Sequence, residues 1–261
     1  MNKIINYVLI VLIIITSFFL NSCTLSITKK GEVKQIEKSF TVSEFKGIET
    51  RNGIKIVYTV GDTVTICAKG RDIAVNNLSV VVGKDSILHI TDIEDGRISS
   101  KVTMLNFSWD ECTLYITGPS ISILNIIGSA DFESRSTFVC DEMNINVSGA
   151  GDIDIEGIIA RNFSSIANGA ADIDIKALKA DNAAFSISGA GDIDVNLTDV
   201  KYTKFETSGA GDIDADFKDC GTADIFISGA GDIELSGNLR QLNKNIAGAG
   251  DIDVSNLKIG K

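Results

Sequence analysis

The sequence has very little of several residue types that would indicate particular functions. Its 261 residues include one Pro, one His and one Trp. A single imidazole and a single indole cannot supply a His-rich metal site or a row of stacked sugar platforms. The chain also lacks any Ser-His-Asp, Cys-His or zinc-ligand spacing. These absences argue against most hydrolytic and zinc-dependent chemistry.

Positive charge is scarce as well. There are 24 Lys and Arg residues against 35 Asp and Glu residues, which gives a net charge of −11. Nucleic acids and anionic membrane surfaces are bound through clustered Lys and Arg. The composition therefore argues against both partners, and it permits cations or basic proteins.

The chain does contain a short internal repeat, Gly-Ala-Gly-Asp-Ile-Asp. Seven exact or variant copies begin at Gly128, Gly149, Gly169, Gly189, Gly209, Gly229 and Gly248. The interval is 20 residues between the five central copies, 21 before them and 19 after them. A unit of that length cannot bury its own apolar face, so the period predicts stacked repeats.

Apolar residues recur at fixed positions around each Gly. Four residues after it stand Phe132, Ile153, Ile173, Ile193, Ile213, Ile233 and Ile252. Further apolar columns lie six residues after the Gly and two, four and nine residues before it, with Lys244 out of pattern four before the last copy. Alternation on both sides of a Gly corner indicates strands. We therefore predict an all-β fold, a right-handed parallel β-helix or β-solenoid with rungs of about 20 residues over residues 121–261.

Residues 40–120 are predicted to form an irregular β region that precedes the repeats. Short alternating runs there end at Gly-Asp or Gly-Lys-Asp breaks, which is typical of strands joined by tight turns. Cys67 and Cys112 lie in two of these strands, and the sequence leaves their pairing open. Cys140 and Cys220 lie four rungs apart, about 19 Å, which is too far for a disulfide.

The first 22 residues are predicted to be a lipoprotein signal peptide. An early Lys3 precedes an apolar run that ends Leu20-Asn21-Ser22-Cys23. This ending resembles the bacterial lipobox, in which the Cys becomes the acylated mature N-terminus. Cys23 would then anchor the protein in the outer membrane, and residues 23–39 would form a tether. The alternative is an ordinary signal peptide with a chance Cys, and the membrane face stays open.

The combined pattern resembles the auto-transporter adhesin head GIN domain family. The resemblance covers about residues 40–259, including the opening Phe45-Lys-Gly-Ile48, the stretch Tyr115-Ile-Thr-Gly-Pro119 and the Ser-Gly-Ala-Gly-Asp-Ile repeats. It implies a secreted or lipid-anchored β-helical protein of the Bacteroidetes type, and it supports the fold better than an activity. The sequence shows no translocator barrel after the last repeat.

Two columns of acids accompany the repeat. The first holds Asp131, Asp152, Asp172, Asp192, Asp212, Asp232 and Asp251, and the second holds Asp154, Asp174, Asp194, Asp214, Glu234 and Asp253. Both alternate with inward Ile, so both are expected to face outward on one side. One hypothesis is Ca²⁺ between rungs, with ligands from Asp152, Asp154, Asp172, Asp174, Asp192, Asp194, Asp212 and Asp214. The alternative is that the first Asp of each pair accepts hydrogen bonds from its own turn while the second is solvated.

Catalysis is not expected. An acid–base pair needs two carboxylates in different surroundings, whereas the repeat gives each pair nearly the same surroundings. His89 is interpreted as a surface strand residue, and Trp109, Phe185 and Phe205 as core or cap residues.

The sequence thus predicts a non-catalytic cell-envelope lipoprotein with no cofactor, acting as an adhesin-like module for a protein or glycan ligand. A periplasm-facing scaffold is the alternative, and a polysaccharide-active enzyme is a third hypothesis.

Overall fold

The structure, a computed structural model, describes residues 34–51, 53–92 and 112–260. The chain divides into two units, Met1–Lys34 and Gln35–Lys261. All described strands and the helix belong to the second unit. The predicted signal peptide, Cys23 and Trp109 lie outside the described residues, as does most of the tether.

The predicted all-β class is confirmed, because the described elements are thirteen strands and one short helix. The strands are β1 Gln35–Phe40, β2 Gly47–Thr50, β3 Ile54–Val60, β4 Thr65–Arg71, β5 Leu78–Val82, β6 Ile87–Asp92, β7 Cys112–Gly118, β8 Ile123–Ile187, β9 Ile193–Thr198, β10 Tyr202–Thr207, β11 Ile213–Ile227, β12 Ile233–Ile246 and β13 Ile252–Ile259. The helix α1 is Asp72–Asn76. No helix of the described ranges is long and apolar enough to cross a membrane.

The N-terminal strands mix antiparallel and parallel pairing. β4 lies antiparallel to both β1 and β7, and β5 lies antiparallel to β6. β2 and β3 instead run parallel to β8, so they lead directly into the repeats. The tether prediction is wrong for residues 35–39, because β1 pairs along its length from Gln35↔Arg71 to Phe40↔Ile66.

In the repeat region, strands one interval apart pair in parallel. Phe205 of β10 lies opposite Phe185 of β8 on one side and Ile225 of β11 on the other. The last step follows the shorter interval, with Ile233 of β12 opposite Ile252 of β13. Residues that are one motif interval apart in the sequence are therefore paired with each other in neighbouring strands.

The apolar columns form the interior of the repeat region. All seven residues of the column four after the Gly are buried, from Phe132 to Ile252. Phe185 contacts Phe163 and Phe205 at ring-centroid distances of 5.1 and 5.0 Å. The prediction that Phe185 and Phe205 belong to the core is confirmed, since each is 1% exposed or less.

Close stacking of the corners requires glycine at the first motif position. A Cβ built on Gly209 would lie 1.9 Å from the carbonyl oxygen of Gly189 on the preceding strand. The same clash recurs between Gly229 and Gly209. Any side chain at these positions would push neighbouring strands apart.

The four cysteines of the described ranges are free. Cys67 lies opposite Tyr115 and Cys112 lies opposite Gly70, so the pairing left open by the sequence is not formed. Cys140 and Cys220 are unbridged, as predicted.

Candidate functional site

The two acid columns lie on one exposed side, here called the acid face. It comprises the thirteen carboxylates of the two columns, from Asp131 to Asp253. Eleven are exposed, and Asp131 and Asp174 are half-buried. The intervening Ile residues are buried beneath them, because successive residues of a strand point to opposite faces. The predicted outward direction of both columns is confirmed.

The first column is tied together by hydrogen bonds between strands. The backbone N–H of Asp192 donates to Oδ1 of Asp172 at 3.2 Å, and the N–H of Asp212 donates to Asp192 at 2.9 Å. The ladder continues to Asp232 and Asp251 at 2.7 and 2.8 Å. We expected these carboxylates to accept from their own turns, but they accept from the next copy of the motif. Only Asp251, at the end of the ladder, accepts from its own neighbour Ile252, at 2.8 Å.

The second column has a different role. Asp194 and Asp214 accept no hydrogen bond from a backbone N–H of the described residues. Partial burial, then the carboxylates of Asp174 and Asp214, raise the pKa of Asp194 above its ordinary value. Partial burial, followed by Glu234, Asp212 and Asp192, likewise raises the pKa of Asp214. Among the described residues neither side chain has an ion pair that offsets this repulsion, although the charge of Lys176 acts to lower the pKa of Asp194.

Basic residues neutralise one part of the acid face and leave the rest free. Beside its first member, Asp131, the neighbouring Glu133 lies outside the thirteen and pairs with Lys55 at 3.2 Å and with Arg135 at 2.9 Å. Further along, Lys176 lies between Asp174 and Asp154, at 2.7 and 3.5 Å. Among the described residues, eleven of the thirteen have no Lys or Arg within 4.0 Å. Eight of these eleven follow Lys176 without interruption: Asp192, Asp194, Asp212, Asp214, Asp232, Glu234, Asp251 and Asp253. We call these eight the free half of the acid face.

An open groove of about 650 Å³ follows the two columns. Carboxylates from Asp152 to Asp253 line it, with the buried Ile153, Ile173, Ile193 and Ile233 beneath them. Within the described ranges no group of three or more His, Cys, Asp or Glu side chains is arranged to hold a metal ion. The groove is therefore suited to a ligand that contacts the columns along their length.

His89 lies apart from the acid face, on β6. Its Nε2 is 3.3 Å from Asp85, and its Nδ1 is 3.5 Å from Glu49 on β2. A hydrogen bond from the backbone of Ile87, then the contact with His89, lowers the pKa of Asp85. The interpretation of His89 as a surface strand residue fits its side-chain exposure of 29%. The sequence did not indicate its two carboxylate neighbours, because Glu49 and Asp85 belong to no repeated motif.

The sequence also did not indicate a hydrogen-bonded group that lies on a different side of the repeat region from the acid face. Asp224 accepts from the Tyr202 hydroxyl and from the Asn243 amide, each at 2.7 Å. The hydrogen bond from Tyr202, then that from Asn243, lowers the pKa of Asp224. The three residues occupy three successive strands at positions where the repeat varies, so no column in the sequence marks them.

Comparison with known proteins gives a family and a fold. The family model described as putative auto-transporter adhesin, head GIN domain, matches residues 44–216 and 198–261. Among curated proteins none matches the chain.

Several solved structures are similar. A putative adhesin from Bacteroides fragilis aligns over 84% of this chain and 96% of its own, with 22% identity and a TM-score of 0.69. A putative adhesin from Parabacteroides distasonis aligns over 85% and 97%, with 18% identity and a TM-score of 0.68. A putative lipid binding protein from the same species aligns over 84% and 95%, with 21% identity and a TM-score of 0.63. At these identities the likeness establishes a shared fold alone. Because the family model covers most of the chain, the protein belongs to the putative auto-transporter adhesin, head GIN domain family.

Proposed function

We propose that this protein is a non-catalytic, adhesin-like lipoprotein of the cell envelope, and that the free half of the acid face binds a basic protein surface. The observation that carries the proposal is the set of eight exposed carboxylates without a basic neighbour, held in two columns. Adjacent strands place carboxylates of one column about 4.8 Å apart. A partner with several Lys or Arg residues can therefore engage several of them at once.

The expected binding is multivalent and sensitive to salt. An exposed ion pair contributes at most about 1 kcal/mol, so a single contact gives no useful affinity. Several contacts fixed on one rigid sheet add up, because the sheet has already lost the conformational entropy that a flexible acidic tail would lose. Such contacts are screened within about 8 Å at physiological ionic strength.

We also infer that the repeat strands wind as a right-handed parallel β-helix. The support is the parallel register of β10 with β8 and β11, at the interval of the motif. A crossover between parallel strands of one sheet is right-handed in about 98% of cases. Such a coil would present the acid face as a straight, stiff strip.

The binding proposal can be tested with substitutions that leave the hydrogen-bonded first column intact. Asp194→Asn, Asp214→Asn and Glu234→Gln together remove three charges from the second column. The matched control removes three exposed charges elsewhere, with Glu44→Gln, Asp62→Asn and Glu142→Gln. The probe is an immobilised Lys-rich peptide, and the readout is surface plasmon resonance at low and high salt.

We expect the acid-face triple variant to lose most of the binding while the control keeps it. Equal losses in both variants would mean that net charge alone attracts the peptide, and the proposed site would be rejected. Unchanged binding in the acid-face variant would reject it as well.

The lipid anchor at Cys23 and the exposure of the protein at the outer membrane are proposals that rest on the sequence. Cys23→Ser should abolish incorporation of a labelled fatty acid and release the protein from membranes. Protease treatment of intact cells, with a periplasmic protein as leakage control, distinguishes the two faces. Cleavage of the repeats supports adhesion. Survival until the outer membrane is broken supports the alternative, a periplasm-facing scaffold.

Calcium binding and catalysis have weaker support. The eight predicted ligands include Asp172, Asp192 and Asp212, whose Oδ1 atoms already accept backbone hydrogen bonds, and the described residues provide no ready metal cluster. Isothermal titration with Ca²⁺ tests the hypothesis directly. A glycan ligand and the polysaccharide-active hypothesis are tested by binding to, and cleavage of, uronate polymers.

A further inference from the structure

The last strands expose an end of the apolar interior, here called the end face. It consists of the inward positions of the last copy of the motif: Leu242, Lys244 and Ile246 of β12, and Val254, Leu257 and Ile259 of β13. Ile246 and Ile259 are 44% and 54% exposed, whereas the residues before them in the same columns, Ile227 and Leu239, are buried. The second half of β12 pairs with β11 on one side, and the described residues supply no strand on its other side.

Lys244 is the one charged residue in a column whose other six members are uncharged and buried. The column four residues before the Gly reads Leu124, Ile145, Ser165, Phe185, Phe205 and Ile225, all buried. Lys244 lies opposite Ile225 in the next register position, and it is exposed. Among the ion pairs of the described residues none involves Lys244. It is a charge at an inward position with no acid to neutralise it.

The end face has the features of a strand-pairing surface. An edge strand with free backbone N–H and C=O groups beside exposed apolar side chains is a template for another chain. The strand that fits it best is one with the same column spacing, which a second copy of this chain provides through its own end face. If the segments from Leu242 to Ile246 of two copies paired antiparallel about their midpoint, the two Lys244 side chains would lie opposite each other, and each Leu242 would lie opposite the other copy's Ile246.

Such pairing would enclose two ammonium groups among Leu and Ile side chains. Removing an ion from water is strongly unfavourable unless a counter-charge is present, and the end face contains no carboxylate in its inward positions. We propose that the end face is a latent self-association surface, and that Lys244 prevents the protein from joining end to end with a second copy. This inference is independent of what the acid face binds.

The test uses the chain from Thr24 onward, which contains the whole compact unit Gln35–Lys261. Its mass is measured by light scattering across a concentration series. The wild type is expected to be monomeric at every concentration. Lys244→Ile restores the apolar column and should at least double the mass as concentration rises. Lys244→Met, which keeps the length of the stem, is expected to behave in the same way if Ile disturbs folding.

Two controls separate this proposal from general effects of charge. Lys244→Glu replaces the positive charge at the inward position with a negative charge, and this variant should remain monomeric. Lys258→Ile removes the same charge from an outward position of β13, opposite Asn238, and should also remain monomeric. Circular dichroism with a cooperative thermal transition establishes that each variant is folded.

Several results would overturn the proposal. Folded Lys244→Ile and Lys244→Met variants that stay monomeric would show that Lys244 blocks nothing. Association of Lys244→Glu would show that charge at this position is irrelevant, and association of Lys258→Ile would show that an added apolar side chain anywhere on the last strands is sufficient. A wild-type protein that already dimerises through the end face would also contradict it.

Discussion

The backbone N–H of Asp232 donates a 2.7 Å hydrogen bond to Oδ1 of Asp212 in the preceding copy of the motif. The same relationship links four successive pairs of the first acid column. Each of these carboxylates therefore holds the next copy of the motif in place. Among the described residues the second column shows no such bond between copies, and Asp253 instead accepts from the N–H of Ser255 on its own strand. One acidic pattern in the sequence thus serves two purposes, strand stacking and an exposed charged surface.

This difference predicts unequal effects of equivalent substitutions. Asp212→Ala removes a charge-assisted hydrogen bond and should lower the free energy of unfolding by about 1–2 kcal/mol. Asp214→Ala removes only a repelling charge, and its stability should be unchanged or increased. Urea denaturation of both variants measures the difference. Asp212→Asn, which retains Oδ1, should lie between Asp212→Ala and the wild type. An equal loss in Asp212→Ala and Asp214→Ala would contradict the assignment of roles.

The raised pKa of Asp214 predicts a pH dependence with a definite sign. Partial burial, then Glu234, Asp212 and Asp192, raise this pKa above the ordinary value of 3.8, so the folded protein holds the proton more tightly than the unfolded chain. The contribution of Asp214 to stability is therefore full below pH 3.8 and falls as the pH rises through the folded pKa. Asp214→Asn should be more stable than the wild type at neutral pH, and the two urea midpoints should converge well below pH 3.8.

Asp224 provides the opposite case as a control. Hydrogen bonds from Tyr202 and then from Asn243 lower its pKa, so its contribution is present at neutral pH and is lost as the pH falls through the folded pKa. Asp224→Asn should therefore destabilise the protein at neutral pH. The interpretation fails if both Asn variants shift the urea midpoint in the same direction.

The repeat region could be predicted from the sequence because one short pattern determines it. Asp194 and Asp214 are one motif interval apart in the sequence, and they are paired in neighbouring parallel strands. The alternation of Asp with Ile determines which side chains are buried. What could not be predicted is which atoms meet across the strands. The N–H of Asp212 donates to Asp192 of the preceding copy, and the residue types alone are equally compatible with a bond inside one turn.

The N-terminal region was less predictable because its contacts are not repeated. The strands β3 to β7 were indicated by alternation, but β1 was assigned to a tether because its burial is partial and its partner, β4, is distant in sequence. The contact between His89 and Glu49 likewise joins two strands about 40 residues apart, with no periodic signal for either residue. A single sequence gives little direct indication of which distant strands pair when those strands belong to no repeat.

Substitution of a corner glycine should be among the most damaging changes in the repeats. A Cβ on Gly209 would lie 1.9 Å from the carbonyl oxygen of Gly189, so the two strands must separate. We expect Gly209→Ala to cost about 1–3 kcal/mol, as other overpacking substitutions do. Ala210→Ser adds one atom at the adjacent, exposed position and should have little effect. Thermal unfolding of both variants tests the prediction, which equal melting temperatures would refute.

Lys176 offers a gain-of-function test of the acid face. Its Nζ lies 2.7 Å from Asp174 and 3.5 Å from Asp154, the two second-column carboxylates that precede the free half. Lys176→Gln should change the stability little, because the pairs are exposed. It should also strengthen binding of the Lys-rich peptide at low salt, since two more carboxylates become available. Lys179→Gln, whose partner Asp199 lies off the acid face, should leave the affinity unchanged. If Lys176→Gln weakened peptide binding instead, the second column would not be the surface that the partner contacts.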